Sequence, residues 1–155
     1  MILKPYAHLL SQPLSFWAAS CDARNIPDMV RCFGLLPVDD SNDITFFIPE
    51  KYSDIFLANL AENRAVSLIG CHILTFESYQ FKGILKSIRP STPEEIRMQL
   101  DHLDSFTDLI LEVGFSKEDY YKAYAYGSGY TITFQVTDIF EQTPRKGTGF
   151  SVLKK

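Results

Sequence analysis

The sequence predicts a mainly β protein, a small β-barrel with added helices. Six apolar segments have the length and composition of β-strands and are separated by polar or turn-forming residues. Segments with helical spacing are inserted between the third and fourth strands and between the fifth and sixth. The length of 155 residues suits one domain, and we expect residues 1–155 to form it.

The first three strands are predicted in the N-terminal third of the chain. They are residues 14–21, 29–38 and 44–49, and the turn-forming residues 22–28 and 39–43 separate them. Because both connections are short and polar, we expect these strands to form an antiparallel meander.

A short helix and two long strands are predicted next. Helical spacing of apolar residues indicates a helix over residues 53–63, with Ser53 as a possible N-cap. Residues 66–76 and 79–88 are typical of strands, and we expect a tight turn at residues 77–78 to join them.

A longer helix begins with a strong signal. Thr92 is the predicted N-cap and Glu95 its capping-box partner, and an apolar stripe continues to Gly114. A second short helix is predicted from Ser116. The last strand, residues 130–143, alternates threonines and a glutamine with apolar side chains.

Composition excludes several classes of function. The net charge is −4 and no basic run is longer than the terminal Lys154–Lys155 pair, so we expect no nucleic-acid or anionic-membrane binding as the main role. No segment approaches the ~18 apolar residues of a membrane-spanning helix, and the interrupted N-terminus makes a poor signal peptide. Three widely spaced cysteines predict free thiols and a cytoplasmic location.

Other catalytic signatures are missing from the sequence. The three histidines are far apart and have no cysteine or histidine near enough in sequence to suggest a zinc site. No G-x-S-x-G nucleophile motif and neither glycine-rich phosphate motif occurs. We therefore expect neither a metalloenzyme nor a hydrolase.

Three residues are candidates for binding an anion. Arg31 is the one charge in its apolar segment, and it is either an outward-facing arginine or a guanidinium clamp for a phosphate. Lys51 and Ser53 stand where the third strand enters the helix, so an ammonium, a hydroxyl and free N–H groups can converge there. The alternative is that Ser53 only caps the helix and Lys51 is solvated.

Gln80 and Lys82 lie on one face of the fifth predicted strand. Two polar side chains two residues apart can meet the edge of a planar heterocycle. The alternative is that they form the solvated face of a sheet.

Several segments, in this order, resemble the pyridoxamine 5′-phosphate oxidase-like family of flavin-binding split β-barrels. They are SFWAASCDARNIPD, VRCFGLLP, ITFFIPEKYSDIFLANLAENRAVSL, YQFKG, the helix from STPEE, and ITFQVTDIFEQTP. The most specific portion is the pattern N-L-x-x-N-x-x-V-S-L at Asn59–Leu68, followed by YQFKG and EQTP.

This resemblance implies a six-stranded antiparallel split barrel of the FMN-binding type, in a homodimer with FMN at the subunit interface. It implies that the phosphate lies near the third strand and the following helix, and that the flavin ring meets strands two and five. Many members carry a basic residue where this chain has Phe56. The positions that the resemblance assigns to the cofactor are Arg31, Phe47, Ile48, Pro49, Lys51, Ser53, Gln80 and Lys82.

The function that the resemblance implies is an FMN-dependent oxidoreductase acting on a small-molecule substrate, but not pyridoxamine-phosphate oxidation itself. The alternative is a non-catalytic protein that stores or senses flavin, haem or a deazaflavin.

Overall fold

The fold comes from a computed structural model that describes residues 2–36 and 41–153. Its strands are β1 Ser15–Cys21, β2 Pro27–Cys32, β3 Asp43–Pro49, β4 Ala65–Cys71, β5 Ser78–Pro90 and β6 Gly129–Glu141. Its helices are α1 Ala7–Leu10, α2 Asp54–Asn63, α3 Pro93–Glu112 and α4 Lys117–Tyr124, and a single 3₁₀ turn, Lys4–Tyr6, precedes α1. The predicted end of strand two, the start of the turn at 39–43 and the terminal lysine pair lie outside the described residues.

The six strands form one antiparallel sheet in the order β2-β1-β4-β5-β6-β3, which curls until its two edges approach. The residues after β2 bring the edges together. The Phe33 N–H donates to the Phe47 carbonyl at 3.3 Å, and the Leu36 N–H donates to the Thr45 carbonyl at 2.9 Å. The prediction of a mainly β, six-stranded split barrel is therefore confirmed.

The expected meander of the first three strands is wrong. β1 pairs with β2, but β3 pairs along its whole length with β6. Gly34 has a φ of +79° and turns the chain immediately after β2, so only a few bonds link this segment to β3. The spacing of residues within β3 cannot reveal a pairing partner that is 80 to 92 residues away in sequence.

Several strand boundaries also differ from prediction, and the largest differences are in β2 and β4. β2 runs from Pro27, inside the predicted turn, to Cys32 instead of over residues 29–38, and β4 ends at Cys71 rather than at residue 76. The apolar residues after Cys71 form a loop, in which the Phe76 N–H donates to the His72 carbonyl at 2.7 Å. The predicted tight turn at 77–78 is wrong because Ser78 already begins β5.

The barrel interior is filled by branched and aromatic side chains from alternate positions of the strands. Phe46 and Phe134 meet edge to face, with ring centroids 5.9 Å apart. Gly83, in the YQFKG segment, lies at a β-bulge where a Cβ atom would come within 1.9 Å of the Gln135 carbonyl oxygen. No larger residue fits there without moving the backbone of β6.

The helices close the barrel from outside. The capping box of α3 is present as predicted, and Gly114 ends this helix with a φ of +89°. Leu103, Phe106 and Ile110 bury the apolar face of α3, while Val113, from the predicted stripe, is 47% exposed. The three cysteines are free thiols. Among the described residues, no helix is both long and apolar enough to cross a membrane.

Glu95 ties the start of α3 to the sheet. Its carboxylate accepts hydrogen bonds from the Arg89 guanidinium, the Thr92 N–H at 2.8 Å and the Thr131 hydroxyl at 2.9 Å. These donors, the Arg89 hydrogen bond first, lower the pKa of Glu95 to about 2.

We predict that Glu95→Gln lowers the free energy of unfolding by about 1.5–3 kcal/mol, because hydrogen bonds to a charged group are lost. Urea denaturation at neutral pH measures this. The neighbouring Glu94→Gln, which also changes an acidic residue of the first turn, should cost less than about 1 kcal/mol. Equal losses of unfolding free energy in Glu95→Gln and Glu94→Gln would contradict the network.

The wild-type chain should lose this stabilisation as the pH falls from about 4.5 to about 2, because the folded carboxylate releases its proton more readily than the unfolded one.

Candidate functional site

Arg31 is a buried charge on β2, opposite Trp17 of β1 in the strand register. The residue is 7% exposed, and its Nη1 donates to the Ser15 hydroxyl at 2.7 Å. Its Nε and Nη2 are buried, and the described part of the chain places no acceptor against either. Such an orphaned pair of donors is unusual in a protein interior and calls for an explanation.

Four aromatic rings surround the Arg31 guanidinium. Its central carbon lies 4.9 Å from the ring centre of Phe106, 5.1 Å from Trp17, 5.3 Å from Phe33 and 5.8 Å from Tyr124. The π faces offset part of the cost of burying the charge, but they accept no hydrogen bond in the plane of the guanidinium. Desolvation lowers the pKa of Arg31 from its ordinary value, but arginine remains protonated in proteins.

A cavity of about 290 Å³ opens beside this guanidinium, and we call it the Arg31 cavity. It is lined by Trp17, Met29, Val30, Arg31, Pro49, Tyr52, Tyr124 and Tyr126. Its volume is at the lower limit of ligand pockets, which span roughly 300–1,000 Å³. Its lining combines four aromatic residues with the cationic Arg31, which suits an aromatic ligand that carries an anionic group.

Two predicted site residues, Arg31 and Pro49, line the Arg31 cavity together. Tyr52, just before α2, also lines the cavity, and it is 68% exposed and has a φ of +76°. A tyrosine in the left-handed region is strained, and such residues concentrate at functional sites. Sequence analysis assigned its neighbours Lys51 and Ser53, but not Tyr52, to the cofactor.

Phe47 and Ile48 are core residues of β3. Both side chains are fully buried, so neither reaches the Arg31 cavity. The backbone of Phe47 helps to close the barrel by accepting the Phe33 N–H. Phe56, where the family resemblance implies a basic residue in many members, is likewise fully buried and belongs to the core.

Lys51 and Ser53 flank Tyr52 at the start of α2. The Lys51 ammonium is exposed and lies 4.8 Å from the centre of the Tyr52 ring, at the rim of the site. Ser53 occupies the N-cap position, but its hydroxyl donates to the Glu50 carbonyl at 2.7 Å instead of capping the helix. The Lys51 ammonium is therefore exposed beside Tyr52, whereas the Ser53 hydroxyl is buried and already engaged.

Gln80 and Lys82 lie on the outer face of the sheet, apart from the Arg31 cavity. Gln80 donates to the Ser67 hydroxyl at 2.8 Å and accepts from Gln142 at 3.2 Å. The Lys82 ammonium is exposed and lies 4.8 Å from the centre of the Phe140 ring. Lys82 lines a shallow groove of about 340 Å³, the Lys82 groove, whose floor includes Ala19, Ala65, Ser67, Gly83 and Thr137.

Sequence analysis missed the aromatic residues around Arg31. Trp17 is the single tryptophan of the chain and faces outward from β1, while Tyr124 and Tyr126 come from α4 and the segment after it. The run YYKAYAY was the available signal, because four tyrosines within seven residues exceed what a solvated helix needs.

His102 of α3 packs beneath the aromatic residues. Its ring centre is 5.5 Å from that of Phe16 and 6.3 Å from that of Phe33, and its Nε2 lies 3.1 Å from the Leu14 carbonyl oxygen. Burial, together with the nearby charge of Arg31, lowers the pKa of His102 to about 4. No group of three or more potential metal ligands exists within residues 2–36 and 41–153.

Comparison with known proteins shows similarity in structure but not in sequence. The sequence matches no protein-family model and no curated protein. An F420 reductase superposes with a TM-score of 0.54 and 17% identity, covering 88% of this chain and 96% of its own. A putative pyridoxamine 5′-phosphate oxidase from Lactobacillus delbrueckii superposes with a TM-score of 0.52 and 10% identity, covering 88% of this chain and 91% of its own. An FMN-binding protein from Syntrophomonas wolfei superposes with a TM-score of 0.50 and 14% identity, covering 89% of each chain.

At these identities the similarity establishes the fold. The chain has the split β-barrel fold of pyridoxamine 5′-phosphate oxidase-like proteins, as the order of its motifs predicted.

We predict that His102 makes the protein less stable in mild acid. The imidazole has a pKa of about 4 in the folded state and about 6.5 in the unfolded state. The free energy of unfolding therefore has its full value, as far as His102 is concerned, above pH 6.5, and it falls as the pH drops toward 4. The loss should reach about 3 kcal/mol, since one pKa unit corresponds to about 1.4 kcal/mol.

Urea denaturation between pH 7 and pH 4 measures this effect in wild type, His102→Gln and the exposed-histidine control His8→Gln. The profile of His102→Gln should be flatter across this range, whereas that of His8→Gln should follow wild type. A wild-type slope retained in His102→Gln would contradict the assignment.

Proposed function

We propose that this protein binds FMN and is an FMN-dependent oxidoreductase acting on a small-molecule substrate. The observation that carries the proposal is the Arg31 guanidinium beside an aromatic cavity, because its Nε and Nη2 have no acceptor among the residues that the structure describes. A guanidinium offers parallel N–H groups that match two oxygens of a phosphate. A bound phosphate would satisfy both donors and neutralise the buried charge.

The residues around Arg31 fit the rest of the cofactor as well. Trp17, Tyr52 and Tyr124 supply ring faces on which a flat heterocycle can stack, and Met29 and Pro49 complete an apolar wall. Lys51, at the rim, adds a second positive charge. The names of two structural neighbours, an FMN-binding protein and an F420 reductase, support a flavin-type ligand. The lining residues of the Arg31 cavity also include no histidine to serve as a haem ligand.

When bound, FMN supplies the redox chemistry by accepting a hydride from a donor and passing it to a substrate. The protein residues hold and tune it. Arg31 would hold the phosphate, Trp17 and Tyr52 would orient the ring and exclude water from it, and Lys82 would stabilise negative charge that develops near the Lys82 groove.

We also propose a homodimer that completes the site. The Arg31 cavity is too small to enclose a dinucleotide-sized or flavin-sized ligand alone. Beside it, the outer face of β1 and β4 is half-buried and consists of small and apolar side chains, including Ala19 and Ile69, and Met29 on the edge strand is 59% exposed. A second copy on this face would bring its own Lys82 groove to the ligand.

We predict that Arg31→Gln weakens FMN binding by about 10- to 100-fold, because hydrogen bonds to a charged partner are lost. Quenching of the Trp17 fluorescence by FMN measures the dissociation constant, because Trp17 is the single tryptophan. Arg24→Gln, an exposed arginine paired with Asp22, is the control and should bind like wild type. Riboflavin, which has no phosphate, should bind wild type and Arg31→Gln equally.

Circular dichroism should show that Arg31→Gln is folded. Equal FMN affinity in wild type and Arg31→Gln would contradict the phosphate assignment, and no binding of FMN to wild type would contradict the cofactor.

We predict that the purified protein has a flavin absorption spectrum after incubation with FMN and gel filtration, and that NADH or NADPH bleaches it. Steady consumption of the nicotinamide with an added electron acceptor would support an enzyme. Bound flavin that neither nucleotide reduces would favour the storage or sensor alternative instead.

We predict a sedimenting mass about twice that of the 17.7 kDa chain. Ala19→Glu should shift the mass toward one chain, because it places an unpaired charge on the proposed interface. Glu112→Lys, an exposed change at the end of α3, should leave it unchanged. A wild-type monomer at micromolar concentration would contradict the dimer.

A further inference from the structure

We infer that α4 and residues 125–128 form a lid over Arg31, and that a ligand's anionic group reaches the guanidinium only when this lid opens. The nature of the ligand rests on the proposed function, whereas the lid rests on contacts within the chain. We call residues 115–128 the α4 segment.

The first argument is that the α4 segment covers the donors that a ligand needs. Nε and Nη2 of Arg31 are unpartnered yet buried, so an anion cannot contact them in the arrangement that the structure shows. The Tyr124 ring covers one side of the guanidinium, with 5.8 Å between the ring centre and the guanidinium carbon, and Tyr126 lines the same cavity. Two of the other covering rings belong to the packed core, since Phe33 and Phe106 are each 1% exposed. The third, Trp17, is half-buried but is carried by β1, which is paired on both sides in the sheet. Tyr124 is therefore the ring that can move.

The second argument is that exposed polar contacts tether the α4 segment. The rings of Tyr120 and Tyr124 also pack on Phe106 and Phe33, at 5.8 and 5.4 Å between ring centres, but neither tyrosine is itself buried. No residue of α4 is buried. The Lys117 ammonium pairs with Asp104 at 2.7 Å and Asp108 at 3.2 Å, and the Tyr121 hydroxyl donates to Asp104 at 2.8 Å. All of these polar contacts join α4 to α3 at exposed positions, where ion pairs add little to stability. An element held in this way opens at lower cost than the barrel unfolds.

The third argument is that glycines stand at both ends of the α4 segment. Gly114 has a φ of +89° and Gly127 lies near its other end, and no atom would crowd a Cβ at either position. Beyond them the chain is fixed, because a Cβ at Gly129 would come within 2.3 Å of the Ile48 carbonyl oxygen. The α4 segment thus has two open, flexible ends and a tightly packed anchor beyond the second.

The fourth argument is that the α4 segment separates two cavities. Tyr126 lines the Arg31 cavity, while Gly127 and Ser128 line a second cavity of about 410 Å³ together with Glu50 and Ile96. Pro49 and Glu50, adjacent in sequence, line the first and the second cavity respectively. Displacement of residues 125–128 would join the two spaces and make room for a ligand larger than the Arg31 cavity holds.

The test uses two lysines of the same helix. Lys117→Ala removes the tether between α4 and α3, whereas Lys122→Ala removes only the pair with Glu118 inside α4. Both changes cost one exposed positive charge and one or two ion pairs, so they are matched in chemistry. Tyr121→Phe loosens the same tether without changing charge.

Two measurements report the lid. Stopped-flow quenching of Trp17 by FMN should give an association rate about two- to fivefold higher in Lys117→Ala than in wild type, the range expected for loss of exposed ion pairs. Lys122→Ala should match wild type, and Tyr121→Phe should change in the direction of Lys117→Ala. In the absence of FMN, acrylamide should quench Trp17 more strongly in Lys117→Ala than in Lys122→Ala.

Acrylamide quenching distinguishes failure of the lid from failure of the proposed function, because it needs no flavin. Equal quenching in Lys117→Ala, Lys122→Ala and wild type would overturn the lid even if FMN binds. Higher quenching in Lys117→Ala with an unchanged association rate would overturn the lid as the route of ligand entry. If no FMN binds to any variant, the proposed function fails and acrylamide alone decides the lid.

Discussion

The buried guanidinium of Arg31 is the constraint around which this side of the molecule is arranged. A charge that is 7% exposed needs compensation, and within residues 2–36 and 41–153 only one of its side-chain nitrogens has a hydrogen-bond acceptor. The remaining compensation for the buried charge comes from the π faces of four aromatic rings, which belong to β1, the segment after β2, α3 and α4. Their positions depend on the closure of the barrel and on the packing of both later helices, so Arg31 couples the site to the whole fold.

The placement of α3 shows how this coupling works. The carboxylate of Glu95 binds Arg89 of β5 and Thr131 of β6, which fixes the first turn of α3 against the sheet. About three turns later, the same helix presents Phe106 to Arg31. α4 follows α3 through an exposed glycine turn and completes the ring cluster with Tyr124. The rigid helix supplies the fixed wall, and the weakly held helix supplies the movable one.

Local sequence patterns predicted what local forces determine. Alternation located the strands, and the Thr92–Glu95 pair located the start of α3, because each depends on neighbours a few residues away. The pairing of β3 with β6 and the rings around Arg31 escaped prediction, since they join residues far apart in sequence. Ser53 shows that prediction is also limited at short range, because its hydroxyl donates to the Glu50 carbonyl instead of accepting a hydrogen bond from the N–H groups at the start of α2. Arg31 itself was evident as an isolated charge, but its burial was not.

The most direct test of this account is a crystal structure of the protein with FMN bound. We expect two phosphate oxygens within about 3 Å of Nε and Nη2 of Arg31, the distance of a charge-assisted hydrogen bond. We also expect the flavin ring to lie against Trp17 and Tyr52, with Tyr124 displaced from the guanidinium. A phosphate bound elsewhere, with Nε and Nη2 still covered by Tyr124, would contradict the account.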